Sequence, residues 1–144
     1  MDMGASQFSV ELVRRAADAI IYADRDGVIR FWNAAAERIF GFAEPEAIGE
    51  SLDLIIPPNL RERHWQGFEN TMRTGESRYG AGDTLSVPAV RKDGRRISVE
   101  FTIAPFRSDG GTMLGIAAIL RDVTARFEQT RELQRQLAAL RPNS

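Results

Sequence analysis

The apolar positions of this chain change their period several times, and each change marks a new element. In "FSVELVRRAADAI" Phe8, Leu12, Ala16 and Ile20 recur at helical spacing, with Val13 and Ala17 beside them and Ser6 or Ser9 as a cap. "AIIYADRDGVIRFWN" reads as strand, turn and strand: Asp26-Gly27 is the turn signal, and Val28, Ile29, Phe31 and Trp32 have strand propensity. Asn33 ends the second strand and is placed to cap a helix over "AAAERIFGF", closed by Gly41. Short helical turns follow in "AEPEAIGESLDLIIPP", divided by Gly49 and the Pro57-Pro58 pair. Pro58 opens a further helix that runs to about Thr74 and stops at Gly75.

Three strand-rich segments come next. "SRYGAGDTLSVPAVRKDG" ends in a turn at Asp93-Gly94, and "RRISVEFTIAPFRSDGG" alternates Ile97, Val99, Phe101 and Ile103 with polar neighbours. "TMLGIAAILRDVT" is more continuously apolar, the pattern of a strand with little exposure. The last stretch, "ARFEQTRELQRQLAALRPNS", has no glycine and repeats Leu133, Leu137 and Leu140 at helical spacing, while Thr130 and Arg126 weaken the same seam. This order of helix, two strands, several helices, three strands and helix predicts an α+β domain built on one antiparallel sheet.

Composition narrows the classes. The chain has 144 residues, 43% of them hydrophobic, which suits one domain with a buried core. The formal net charge of −1 argues against a surface built for nucleic acid or anionic membrane. There is no cysteine, so disulfides, thiolate zinc sites, Fe–S clusters and covalent haem attachment are excluded. The absence of a membrane-length apolar run and of a signal-peptide pattern makes the cytoplasm the expected compartment.

The single histidine, His64, lies in "LRERHWQGFENTMRTG". At about 100° per residue, Gly67, Leu60, Thr71, His64, Phe68, Met72 and Trp65 share an arc of roughly 160°, with Glu62, Arg63, Gln66, Glu69, Asn70 and Arg73 opposite. His64 falls near the middle of that arc, so its imidazole is expected to face inward and to be neutral. A neutral imidazole in an apolar cavity suits haem iron, and it equally suits a core histidine bonded to a backbone carbonyl.

"DGVIRFWNAAAERIFGF", "EAIGESL", "RKDGRRISVEFTIAPF" and "GIAAILRDVT" occur in the order and spacing of the PAS family of sensory domains, which residues 18 to 124 resemble. The resemblance implies a PAS fold: a five-stranded antiparallel sheet, helices packed on one face, and a small-molecule or cofactor pocket between them. It divides the chain into an N-terminal flanking helix over 1–17, a sensor domain over 18–123 and a C-terminal signalling helix over 124–144. It also gives Asp122 a role in tying the sheet to the outgoing helix, beside the plainer role of a helix-capping carboxylate.

"IPPNLRERHWQGFENTMRTG" further resembles the matching helix of oxygen-sensing haem PAS domains in histidine kinases and cyclic-di-nucleotide phosphodiesterases. By that resemblance His64 is the proximal ligand of haem b, Arg78 in "ESRYG" neighbours a propionate, and Phe68 and Met72 line the pocket. Those sensors carry an arginine or methionine on the distal side, where this chain reads "GDTLS". Leu85 and Val87 would then form a bare apolar distal wall, so a similar way of stabilising oxygen is not expected.

Other classes fare differently. Covalent flavin photochemistry needs a cysteine and is excluded, although non-covalent flavin is not. No serine–histidine pair or converging carboxylates form a catalytic constellation; Glu44, Glu46 and Asp93 read as solvated surface, and "YGAGD" is too short for a phosphate loop. The chain is therefore not expected to be an enzyme. A homodimer is expected, because Val10, Leu12 and Val13 exceed what one helix face needs to cover a small core. The sensor reading, its haem form and a ligand-free dimerisation module all remain open, and any effector partner is unidentified.

Overall fold

The computed structural model of the protein describes residues 4–76 and 85–141. Among them run α1 (Ala5–Arg15), β1 (Ala19–Asp24), β2 (Ile29–Trp32), α2 (Ala34–Phe40), α3 (Glu44–Ala47), α4 (Arg61–Thr74), β3 (Leu85–Val90), β4 (Arg96–Arg107), β5 (Met113–Asp122) and α5 (Thr124–Ala139). Two 3₁₀ turns, Leu52–Ile55 and Pro58–Leu60, lead into α4. The strands form one antiparallel sheet in the order β2-β1-β5-β4-β3. Successive residues of a strand face opposite sides, so the register sorts the sheet into two faces. Ile21 pairs with Trp32 and Ala118, and Phe101 with Leu120, on the face that carries the core.

The first helix is shorter than its pattern predicts. It stops at Arg15, and Ile20 belongs to β1. Asn33 is the reason. Its buried side chain accepts hydrogen bonds from Ile20 N at 3.0 Å and Ala36 N at 3.1 Å, and donates to Val13 O at 2.9 Å and Asp18 O at 3.1 Å. The expected N-cap of α2 thus also turns the chain from α1 into β1. No residue of α1 is buried, so the seam through Phe8 and Leu12 faces away from this chain's core.

Trp32 fills the core and donates its indole N–H to Phe42 O at 2.9 Å, while its strand neighbour Phe31 is half-buried under Arg14. Val28 lies outside β2 and forms an isolated bridge to Ser51. Gly41 closes α2 in the left-handed conformation, as expected for a glycine beyond the last turn.

The central strand β5 departs from the expectation of little exposure: Leu114 is 47% and Ile119 43% exposed. The helices cover one face of the sheet, and a register shift between Phe106 and Arg107 disturbs the β4–β5 ladder beside Leu114. On the other face Tyr22 meets Phe106 edge-on at 5.5 Å. Gly115 makes this possible, because a β-carbon there would fall 2.5 Å from the Tyr22 hydroxyl oxygen.

The last helix is anchored by Thr124 and Asp122 together. Thr124 Oγ1 accepts from Ser98 N at 2.9 Å, and Val123 N donates to Ser98 O at 2.8 Å, which joins the start of α5 to β4. Asp122 accepts from Thr124 N at 2.9 Å and from its hydroxyl. The carboxylate therefore caps locally, and the link to the sheet is made by its neighbour.

Replacing Asn33 with alanine would strand four backbone groups in a closed site. Asn33→Ala is expected to lower stability by about 3 kcal/mol, read as a fall in the urea midpoint with little change in slope.

Candidate functional site

Helix α4 owes its position to contacts that its hydrophobic arc only partly announces. Arg61 and Trp65, one turn apart, both hold the preceding 3₁₀ turn. Arg61 donates to Asp53 O and Ile56 O at 3.2 Å each, and Trp65 Nε1 donates to Asp53 Oδ1 at 2.7 Å. The far edge of the Trp65 ring lies over the β1–β2 turn, where a β-carbon on Gly27 would sit 2.3 Å from Cη2. Gly27 also has a φ of +77°, so both the turn and the contact require glycine.

With α4 held this way, Phe68 and Thr71 are its buried residues, whereas Leu60, His64, Trp65 and Met72 are half-buried and Gly67 is exposed. The centre of burial is therefore nearer Phe68 than His64. Phe68 packs with Ala23 and Ile116, and Leu52, Trp65, Met72 and Ile103 close around them. His64 lies edge-on to Trp65 at 4.8 Å and tilted against Phe68 at 6.2 Å.

The Nδ1 atom of His64 is buried and has no hydrogen-bond partner among the described residues. Burial pushes the imidazole pKa below its usual value, and the charge of Asp53 offsets this in part. A buried polar atom left unpaired costs about 1–3 kcal/mol, so the site favours a group that would satisfy it.

Of the residues expected to surround a cofactor, the structure brings His64, Phe68 and Met72 to one place. Val87 packs elsewhere, against the core of Ala89, Ile97 and Val99. Leu85 pairs with Phe101 in the ladder, and Arg78 lies outside the described residues. Asp53 is the site residue that the hydrophobic pattern left unassigned, and Trp65 stood on the arc without its bond to that carboxylate being foreseen. A tryptophan on the arc twelve residues after an aspartate was its only trace.

The donor chemistry suits haem in that a neutral imidazole stands among apolar side chains. In the conformation described, Phe68 and Met72 occupy the space between α4 and the sheet. No group of three His, Cys, Asp or Glu among the described residues is placed to hold a metal ion. Likewise, no described helix is long and apolar enough to cross a membrane. The exposed carboxylates have local roles: Glu46 accepts from Ala43 N and pairs with Lys92, Glu44 faces Arg14 at 3.7 Å, and Asp93 accepts from Arg95 N at 2.9 Å.

The comparisons with known proteins bear on this site. The family described as "PAS fold" matches residues 7–123. Sensor protein FixL of Bradyrhizobium diazoefficiens is 31% identical over 117 residues, which are 81% of this chain and 23% of that protein. Oxygen sensor protein DosP of Escherichia coli is 30% identical over 129 residues, 88% of this chain and 16% of that protein. The chain thus spans less than a quarter of the length of either relative. Among solved structures, the PAS domain of a protein from Colwellia psychrerythraea superposes with a TM-score of 0.74 at 22% identity, covering 85% of this chain and 99% of that one.

Two outcomes test this geometry. Gly27→Ala is expected to lower the denaturation midpoint clearly more than Gly94→Ala, which shares a positive φ but has nothing within 4 Å of its β-carbon; equal losses would contradict the packing of Trp65. For His64, the unfolded chain takes up a proton below about pH 6.5, while the folded protein does so only at lower pH. Folding stability should therefore fall as pH drops through that window and be fully present above it. In His64→Leu this component of the pH profile disappears, as a pair of urea titrations across pH 5 to 8 would read.

Proposed function

This chain belongs to the PAS fold family, and from that premise we propose that it is the sensory part of a larger cytoplasmic signalling protein, reading a small molecule or cofactor between α4 and the sheet. The observation that carries the reading is the buried Nδ1 of His64, unpartnered among the described residues, on the face of α4 that meets the sheet. Names of relatives such as "Sensor protein FixL" and "Oxygen sensor protein DosP" support a sensory role over a catalytic one.

Haem is the group that the donor chemistry supports best. His64 would hold it through a neutral imidazole, with Phe68, Met72, Ile103 and Ile116 excluding water. Haem, when bound, supplies an iron centre able to take up a diatomic gas. The chain's own part is to keep the imidazole neutral, fix α4 through Trp65 and Asp53, and carry a change in sheet packing to α5. Ser98 is the route for that last step, because both Val123 and Thr124 bond to its backbone.

A second reading, a dimerisation module without ligand, draws on the filled space beneath α4 and on the exposed Phe8, Leu12, Phe106 and Ile119. One purification separates the two. With haem supplied, the wild type is expected to give a Soret band that His64→Ala abolishes while keeping its circular dichroism. A colourless wild type of unchanged stability would overturn the haem reading. The dimer reading then requires a sedimenting dimer that Ile119→Glu dissociates.

A further inference from the structure

A surface cleft of about 320 Å³ lies away from His64, lined by Ala17, Asp18, Arg38, Ile39, Arg91, Arg121 and Asp122. Four parts of the fold meet there: the α1–β1 connector, the last turn of α2, the start of the β3–β4 turn and the end of β5. Three guanidinium groups thus converge from positions far apart in the chain.

Their charges are unevenly compensated. Arg121 is engaged by Asp18, with Nε and a terminal nitrogen at 3.3 and 3.2 Å from the two carboxylate oxygens. Asp122 is taken up by the backbone and hydroxyl of Thr124. Arg38 donates to Ala17 O at 3.2 Å and pairs with no carboxylate among the described residues. Arg91 donates to Ile39 O at 2.7 Å, and its buried Nε lies 3.5 Å from exposed Asp93 in an ion pair without a hydrogen bond. With Arg121 on Asp18 and Arg91 beside Asp93, Arg38 is the guanidinium of the three without a carboxylate partner among the described residues, and Asp122 keeps its charge at the rim, so what the cleft offers is guanidinium donors left over on Arg38 and Arg91.

We propose that this cleft is a binding site for a small phosphate-bearing anion, held by Arg38 and Arg91 and completed by Arg121. Forked guanidinium donors match phosphate oxygens in geometry and charge, and several together select a dianion over chloride. The volume is at the low end for small-molecule sites, which suits a phosphate or a short phosphate ester rather than a large cofactor. Ala17 and Ile39 give an ester's carbon chain an apolar wall. An anion that draws Arg121 from Asp18 also loosens a link between residues 103 apart in sequence, at the points where α1 enters the domain and α5 leaves it.

The test is an amide NMR titration of the whole chain with inorganic phosphate and with propyl phosphate, against chloride at matched ionic strength. Saturable shifts confined to residues 16–18, 38–41, 91 and 121–122 are expected with the phosphates only. Arg38→Gln, an exposed position, should weaken the affinity roughly tenfold. Arg30→Gln, whose arginine pairs with Asp24 elsewhere on the surface, should leave it unchanged. Tighter binding of the ester assigns the site to a phosphorylated metabolite, and equal binding assigns it to free phosphate. Non-saturating shifts, the same shifts with chloride, or no loss in Arg38→Gln would overturn the proposal.

Discussion

The buried carboxamide of Asn33 holds together the part of the molecule where chain direction changes most. Two of its bonds reach back to Val13 O and Asp18 O, one is received from Ile20 N in β1, and one caps α2. A side chain with both donors and an acceptor is needed, since hydroxyl or carboxylate residues cannot serve all four groups in that geometry. Once α2 leaves the sheet at this angle, Ala35, Ala36 and Phe40 are carried onto Ile21, Ile29 and Trp32. The far end of α2 then meets the β3–β4 turn, where Lys92 N donates to Phe40 O at 2.8 Å.

The placement of α4 is a second, separate constraint. It depends on a bare α-carbon at Gly27, which admits the Trp65 ring, and on the Asp53 carboxylate, which takes the indole proton. These contacts set how far His64 enters the interior. The imidazole is consequently half removed from water without gaining a partner for Nδ1 among the described residues, and desolvation outweighs the attraction of Asp53. The same residues that stabilise the helix thereby leave a nitrogen unsatisfied among the described residues, beside an apolar cluster and at a cost in stability.

One face of the sheet is packed and the other is open. Tyr22, Phe106 and Ile119 on the open face, together with Phe8 and Leu12 of α1, give the isolated chain more exposed apolar surface than its own fold uses. The leucines of α5 are likewise exposed, so α5 is tied to the domain mainly through its first residues and the backbone of Ser98. A helix held at one end and free along its length is well placed to move as a unit.

Much of the fold was legible in the chain because its signals are local. The cap at Asn33, the left-handed glycines 27, 41, 75 and 94, and the alternation through Ile97 and Val99 depend on residues within a few positions of one another. The inward side of α4 was legible for the same reason, since 3.6-residue periodicity sorts His64, Phe68 and Met72 together. The end of α1 was not, because Ile20 fits a helical seam as well as a strand until Asn33, thirteen residues on, claims its amide. Nor was the exposure of Ile119, which depends on which face the helices cover. The elements, their order and the chemistry available at His64 follow from period, capping and residue type. That Nδ1 lacks a partner among the described residues, that Val87 packs apart from His64, and that three distant arginines share one cleft are facts that arise only when separate segments meet in space.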